Sequence, residues 1–201
     1  MEDQNEEEPP VNPAEDLMRE HGLLRRVVLV YQEGIRRMNL QKGVPADVFP
    51  TAAQIVRTFI EDYHEKTEET FVFSKLKDNG ILLGMCQTLI DQHKQGRVIT
   101  DKILRLGCPV DQLADSGRAQ LTQWVESFCH MYAAHGAFED TVVFPAFRSL
   151  FTRKEFDALG ERFEEQEHHL LGDGGLEGYL KQVSELEKLL NINEIESYSL
   201  R

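Results

Sequence analysis

Residues 64–73 and 135–144 read HEKTEETFVF and HGAFEDTVVF, two versions of one ten-residue segment in which a His is followed four residues later by a Glu. Four residues is close to one helical turn, so in each copy the imidazole and carboxylate leave the same face of a helix, about 5–6 Å apart at Cβ. A lone His precedes each copy at nearly equal distance: His21 lies 43 residues before His64, and His93 lies 42 before His135. The surroundings repeat as well, because LMREH with Arg25 (residues 17–21) matches LIDQH with Arg97 (residues 89–93). The chain therefore contains two helical segments, each carrying one lone His and one His-x-x-x-Glu pair. This duplication points to an all-α fold with a dinuclear metal centre.

The helical pattern can be followed along most of the chain. Asn12 and Pro13 read as N-cap and first helical residue. Leu17, His21, Leu24, Val28, Tyr31, Ile35 and Met38 then follow at spacings of 3 and 4, a bundle seam predicted to end near Gly43. A second helix is predicted over about residues 51–77, with Val56, Ile60, His64, Glu68 and Phe71 on one face and Asp78-Asn79-Gly80 as its stop. A third, over about 81–106, groups Leu82, Cys86, Leu89, His93, Thr100 and Ile103 and stops at Gly107-Cys108-Pro109. A fourth, over about 117–144, aligns Leu121, Trp124, Phe128, His135, Glu139 and Val142, with Pro145 near its end. Connections this short make neighbours antiparallel, and the expected architecture is an up-down-up-down four-helix bundle spanning residues 13–150. Residues 151–201 are expected to add one or two C-terminal helices packed on it. Thr152 and Glu155 form a capping box for the first of these, and Asp173 is expected to cap the second.

Residues 1–12 are acidic and bear prolines, the composition of a disordered tail rather than of a secretory leader. No run of about 20 apolar residues occurs, which argues against a membrane span and for a cytoplasmic address. The net charge of −13 argues against nucleic acid and anionic membrane as partners. Cys86, Cys108 and Cys129 are odd in number and form no C-x-x-C pair, so they read as reduced and mostly buried.

All six repeat-borne donors, His21, His64, Glu68, His93, His135 and Glu139, fall on faces whose other members are apolar. Several unpartnered buried imidazoles and carboxylates, each costing several kcal/mol, would exhaust the roughly 5–15 kcal/mol stability of a typical domain. Cations compensate them. Imidazole plus carboxylate without thiolate points to iron first, to manganese or zinc second, and away from copper. Glu65, Glu69, Glu20 and Asp140 adjoin the candidate ligands and read as solvated charges beside the seam, with a role as acceptors for a ligand N–H as the alternative. Tyr63 and Tyr132 read as core residues with a polar handle, and His130, His168 and His169 as surface residues. Arg97 reads as a gate for anions or the partner of an acid.

These motifs resemble the hemerythrin-like (HHE cation-binding) family over about residues 14–190. The resemblance is carried by Glu20-His21 with Arg25, the His64/Glu68 pair, His93 with Arg97, the segment from Tyr132 through His135 and Glu139 to Pro145, and Glu167-His168 with Gly172-Asp173-Gly174. It implies a four-helix bundle around two iron ions with an oxygen bridge. On that pattern His21 and His64 serve one iron, His93 and His135 the other, and Glu68 and Glu139 bridge. The chain departs from the oxygen-carrying members of the family. Arg97 stands where they have a fifth His, and Glu139 is four rather than five residues after His135. The resemblance thus implies a more symmetric site, with small ligands such as dioxygen, peroxide or nitric oxide and a role in redox response or sensing. A metal-dependent regulatory or iron-sensing module without turnover, or iron handling and storage, are the alternatives, with a protein partner or a second copy meeting the outer helices.

Overall fold

The computed structural model describes residues 12–106 and 108–199, which form helices and connecting turns. Apart from Asn12, the expected acidic tail lies outside the described residues, as does Gly107 at the expected stop of the third helix. Helix α1 is Pro13–Asn39, α2 spans residues 48–78, α3 is Leu83–Leu104, α4 spans residues 115–148, α5 is Arg153–Leu171 and α6 is Gly175–Leu189. None of the described helices is long and apolar enough to cross a membrane.

Local chemistry sets most boundaries. Asn12 Oδ1 accepts from the N–H groups of Ala14 and Glu15 at 3.1 and 3.4 Å, which supplies two of the donors that open α1, and Pro13 has no N–H to satisfy. The turn after α2 uses Gly80 at φ +70°, and its Ile81 N–H bonds back to Leu76 O at 2.9 Å. Thr152 and Glu155 form the reciprocal capping box that opens α5. The side chain of Asp173 lies outside the described residues. The start of α6 is capped from elsewhere, because Glu167 Oε1 accepts from the Leu176 N–H at 2.7 Å.

Several helices differ from their predicted limits. Helix α2 opens at Val48, so Pro50 sits in its first turn, where a missing N–H costs nothing. Helix α4 runs past Pro145 to Arg148. Both helices contain π-helical turns, over Val56–His64 and Glu68–Phe73 in α2 and over Glu139–Val143 in α4. A wide turn delays the seam by one residue. The core positions predicted at Phe71 and Val142 therefore pass to Val72 and Val143, both fully buried.

Helix α1 packs against α2 and α4, and α3 packs against α2 and α4, closing the four into a ring, while α5 and α6 lie across the α1–α2 face. Two apolar clusters fill the ring. One is built around Leu24, Tyr31, Phe49, Phe59, Phe128 and Val183, the other around Leu17, Phe73, Leu89, Phe144, Phe147 and Phe163. Each fully buried Leu or Phe contributes roughly 1.5–3 kcal/mol. The four repeat histidines fall between these plugs: on α1, for example, His21 separates Leu17 of one cluster from Leu24 of the other. The fold thus sets one polar layer between two dry ones.

Candidate metal centre

All six predicted donors lie in that layer, and none is more than 3% exposed. They form two groups sharing Glu68: His21, His64 and Glu68, and Glu68, His93, His135 and Glu139. Within each group the donor atoms lie within 4.8 Å of one another. Glu68 spans both, with Oε1 at 3.4 Å from His64 Nε2 and 3.8 Å from His21 Nε2, and Oε2 at 3.5 Å from His93 Nε2. Glu139 Oε2 stands 3.0 Å from His135 Nε2 and 3.3 Å from His21 Nε2. In both copies of the segment the Glu is the first residue of a π-helical turn. Wide turns of this kind are frequent at functional sites.

Every imidazole is held from behind. His21 Nδ1 lies 2.7 Å from Asp140 Oδ1, His64 Nδ1 2.5 Å from Glu20 Oε2, His93 Nδ1 3.1 Å from Glu69 Oε1 and His135 Nδ1 2.9 Å from Gln92 Oε1. These acceptors assign the donor hydrogen to Nδ1 and leave each Nε2 lone pair facing inward. They obey the repeat as well. Glu20 and Gln92 each precede a lone His, and Glu69 and Asp140 each follow a paired Glu. Arg97 then binds Glu69 at 2.8 Å as Arg25 binds Asp140.

The sequence expectation of solvated charges is therefore overturned for Glu20 and Glu65, which are 2% and 1% exposed, and Glu69 and Asp140 are only partly exposed. What drew Glu20, Glu69 and Asp140 in is the imidazole N–H on the neighbouring helix, whereas Glu65 is held by Tyr132 Oη and Arg97. For Glu69 and Asp140 the available signal was their equivalence across the repeat. Tyr63 and Tyr132 are buried as expected, and their hydroxyls donate to Glu20 at 3.1 Å and Glu65 at 2.6 Å. Arg97 is the partner of two acids, with Glu65 at 2.7 Å beside Glu69, so it closes the additional grouping of Glu65, Glu69 and His93. His130, His168 and His169 are exposed. Glu61, which the sequence pattern did not single out, is fully buried beside Arg57 at 3.1 Å, and burial pushes its carboxyl up to about 7 despite Thr100 and Arg57 nearby.

The donor set fits a pair of cations on three counts. Both oxygens of Glu68 and both of Glu139 are buried without a hydrogen-bond donor, an arrangement that costs several kcal/mol unless something positive sits among them. His93 Nε2 and His135 Nε2 face each other at 3.1 Å, two lone pairs that repel unless a proton or metal ion lies between or beside them. Charge gives the third. Glu20, Glu65, Glu68, Glu69, Glu139 and Asp140 outnumber the cations paired with them, Arg25, Lys66 and Arg97, and bound metal ions would offset the excess negative charge. With protons alone available, the histidines take up the task. Burial disfavours the His21 imidazolium, yet Asp140 and Glu139 outweigh it and raise its pKa to about 9, and His64 and His93 are shifted upward in the same way. Burial also disfavours the Glu139 carboxylate, but His135 and His21 hold its pKa well below the usual range.

Comparison with known proteins agrees with this chemistry. Uncharacterized proteins of Mycobacterium bovis and Mycobacterium tuberculosis are each 41% identical over 194 residues, covering 96% of this chain and 76% of theirs. No solved structure gives a significant match. The family described as hemerythrin HHE cation-binding domain matches residues 12–147, two thirds of the chain and all six clustered donors. With its helical bundle and a His/Glu cluster able to hold metal, the chain belongs to the hemerythrin HHE cation-binding family.

Proposed function

We propose that the protein is a non-haem di-iron protein that reacts with dioxygen, peroxide or nitric oxide in redox response or sensing. His21 and His64 would hold one iron, His93 and His135 the other, with Glu68 and Glu139 shared between them. The observation that carries this reading is the pair of buried carboxylates with no donor, ringed by four inward Nε2 atoms. Thiolate is absent from the cluster, and imidazole with carboxylate suits iron, with manganese or zinc as the runners-up. An iron pair, when bound, supplies redox change and open coordination positions to a small oxidant.

The chain's own residues do the rest. Asp140, Glu20, Glu69 and Gln92 fix the ring planes and raise the basicity of Nε2. The apolar plugs on either side keep bulk water out. Arg97 with Glu65 takes up the space of a fifth His, which favours two similar metal positions over the one saturated, one open arrangement of an oxygen carrier. Metal content per chain, with the optical spectrum of aerobically purified protein, tests the assignment. Two irons with near-ultraviolet bands are expected, and rapid mixing of the diferrous protein with dioxygen, peroxide or nitric oxide should change the spectrum. Fewer than two metal ions per chain, or no spectral response to any of the three, would overturn it.

A second reading, a metal-dependent regulatory module without turnover, is favoured by one contact. Gln166 on α5 donates to Thr67 Oγ1 at 2.9 Å, one residue before Glu68, so the outer helices touch the segment that carries the donors. Protease sensitivity of α5 that rises on metal removal would support it, and equal sensitivity in both forms would count against it.

A further inference from the structure

The two halves of the centre match in their donors but differ at several equivalent positions, and one of these differences bears on access. The residue after His64 is Glu65, whereas the residue after His135 is Gly136. On the flank of His93, Glu65 fills the space with a buried carboxylate that receives Tyr132 Oη and pairs with Arg97. On the flank of His21 there is no side chain. A Cβ at Gly136 would stand 3.6 Å from His21 Nδ1, an ordinary contact, so the glycine is not demanded by crowding and its effect is to leave room.

That room is a pocket of about 220 Å³ between α1 and α4, walled by His21, Leu24, Val28, Leu29, Ala133 and Gly136. Its two other wall residues do not make it polar. Arg25 has its guanidinium engaged by Asp140, and Tyr132 has its hydroxyl committed to Glu65. The pocket ends on the ring of a candidate metal ligand, and its wall is almost entirely carbon.

We infer that this α1–α4 pocket receives a small uncharged molecule, dioxygen or nitric oxide, and delivers it to the His21 half of the centre. The volume exceeds that of a diatomic several times over, since a water molecule occupies about 30 Å³. An anion or a strong hydrogen bonder would lose its hydration with nothing in return. Peroxide is thus disfavoured on this route, and a sparingly hydrated gas is not. On the opposite flank the same approach is blocked by charge, so the two metal positions differ in access although they match in ligands. The delivery role rests on the di-iron reading, but occupation of the pocket does not.

Xenon is the probe, because it binds cavities walled by apolar side chains, and this pocket, partly open to solvent, has such a wall. A xenon-129 NMR titration of the full chain loaded with redox-silent zinc should show a saturable shift. Ala133→Phe, at an exposed position on α4, should fill the pocket and weaken xenon binding at least about tenfold, equivalent to about 1.4 kcal/mol. Val28→Phe fills it from α1 and serves if the first variant folds poorly by circular dichroism. In the iron-loaded protein the same variant should slow the second-order reactions with dioxygen and with nitric oxide, measured separately, and leave that with hydrogen peroxide unchanged. No saturable xenon shift in the parent chain, or equal xenon affinity in a folded filled variant, would overturn the pocket. Lost xenon binding with unchanged gas rates would overturn delivery. Xenon binding that disappears in the filled variant of a protein inert to every oxidant would uphold the pocket while removing the di-iron reading.

Discussion

Stripping the metal with a chelator should make the fold sensitive to mild alkali, in a window set by the histidines. Burial at 2% exposure opposes a charged His21, but Asp140 and Glu139 raise its pKa from 6.5 to about 9. A group whose folded pKa exceeds its unfolded value contributes stability that is complete below the unfolded pKa and is lost as the pH rises through the folded one. The stabilisation from His21 is therefore present at pH 6 and gone above about pH 9. Two and a half pH units at 1.36 kcal/mol each come to about 3 kcal/mol from this residue alone. His64 and His93 shift in the same direction and add to the loss. The buried thiols of Cys86 and Cys129 are also raised above their ordinary value, Cys129 to about 12, so they add to the loss only from about pH 9, where the unfolded thiols begin to ionise, and the histidine slope is read below that. In the metal-loaded protein the same nitrogens carry cations rather than protons, and the dependence should flatten. Urea unfolding followed by circular dichroism, on stripped and loaded full-length chain from pH 6 to 9.5, measures both slopes. A stripped protein whose unfolding free energy stays level or rises across that window would refute the argument that these imidazoles substitute for a cation.

Replacing Asp140 by Asn, or Glu69 by Gln, should weaken metal binding about 10–100-fold by releasing His21 or His93 from its orienting acceptor, measured by competition with a chromogenic chelator. Glu61→Gln should stabilise the protein by up to about 3 kcal/mol at pH 8, because a carboxyl raised from 4.5 to about 7 in the fold costs stability as the pH rises from 4.5 to 7. That gain should vanish below pH 4.5 in denaturant titrations. Gly96→Ala should destabilise by about 1–3 kcal/mol, since the new methyl would overlap Tyr132 Oη and displace the hydroxyl from Glu65, and thermal melts compared with a Gly22→Ala control, where a Cβ meets nothing within 4 Å, would show it.

What the sequence by itself determined is the part of this protein governed by spacing along one helix. His64 with Glu68 and His135 with Glu139 must share a face because four residues nearly complete a turn, and His21 and His93 join them because they interrupt apolar seams at matched distances. The helical class, the capping of α1 by Asn12 and the box at Thr152 are equally local, and so were legible. The tertiary structure decided everything that depends on which helix lies beside which. Asp140 meets His21, 119 positions away, and Glu69 meets His93 across the α2–α3 contact, so acids that looked solvated in the sequence hold the rings instead. The π turns that move the seam from Phe71 and Val142 to Val72 and Val143 are departures that a constant helical period does not express. The inequality of the two flanks is of the same kind. Glu65 and Gly136 are a single repeat difference on paper, and only the placement of Arg97, Tyr132 and His21 around them makes one flank charged and the other open.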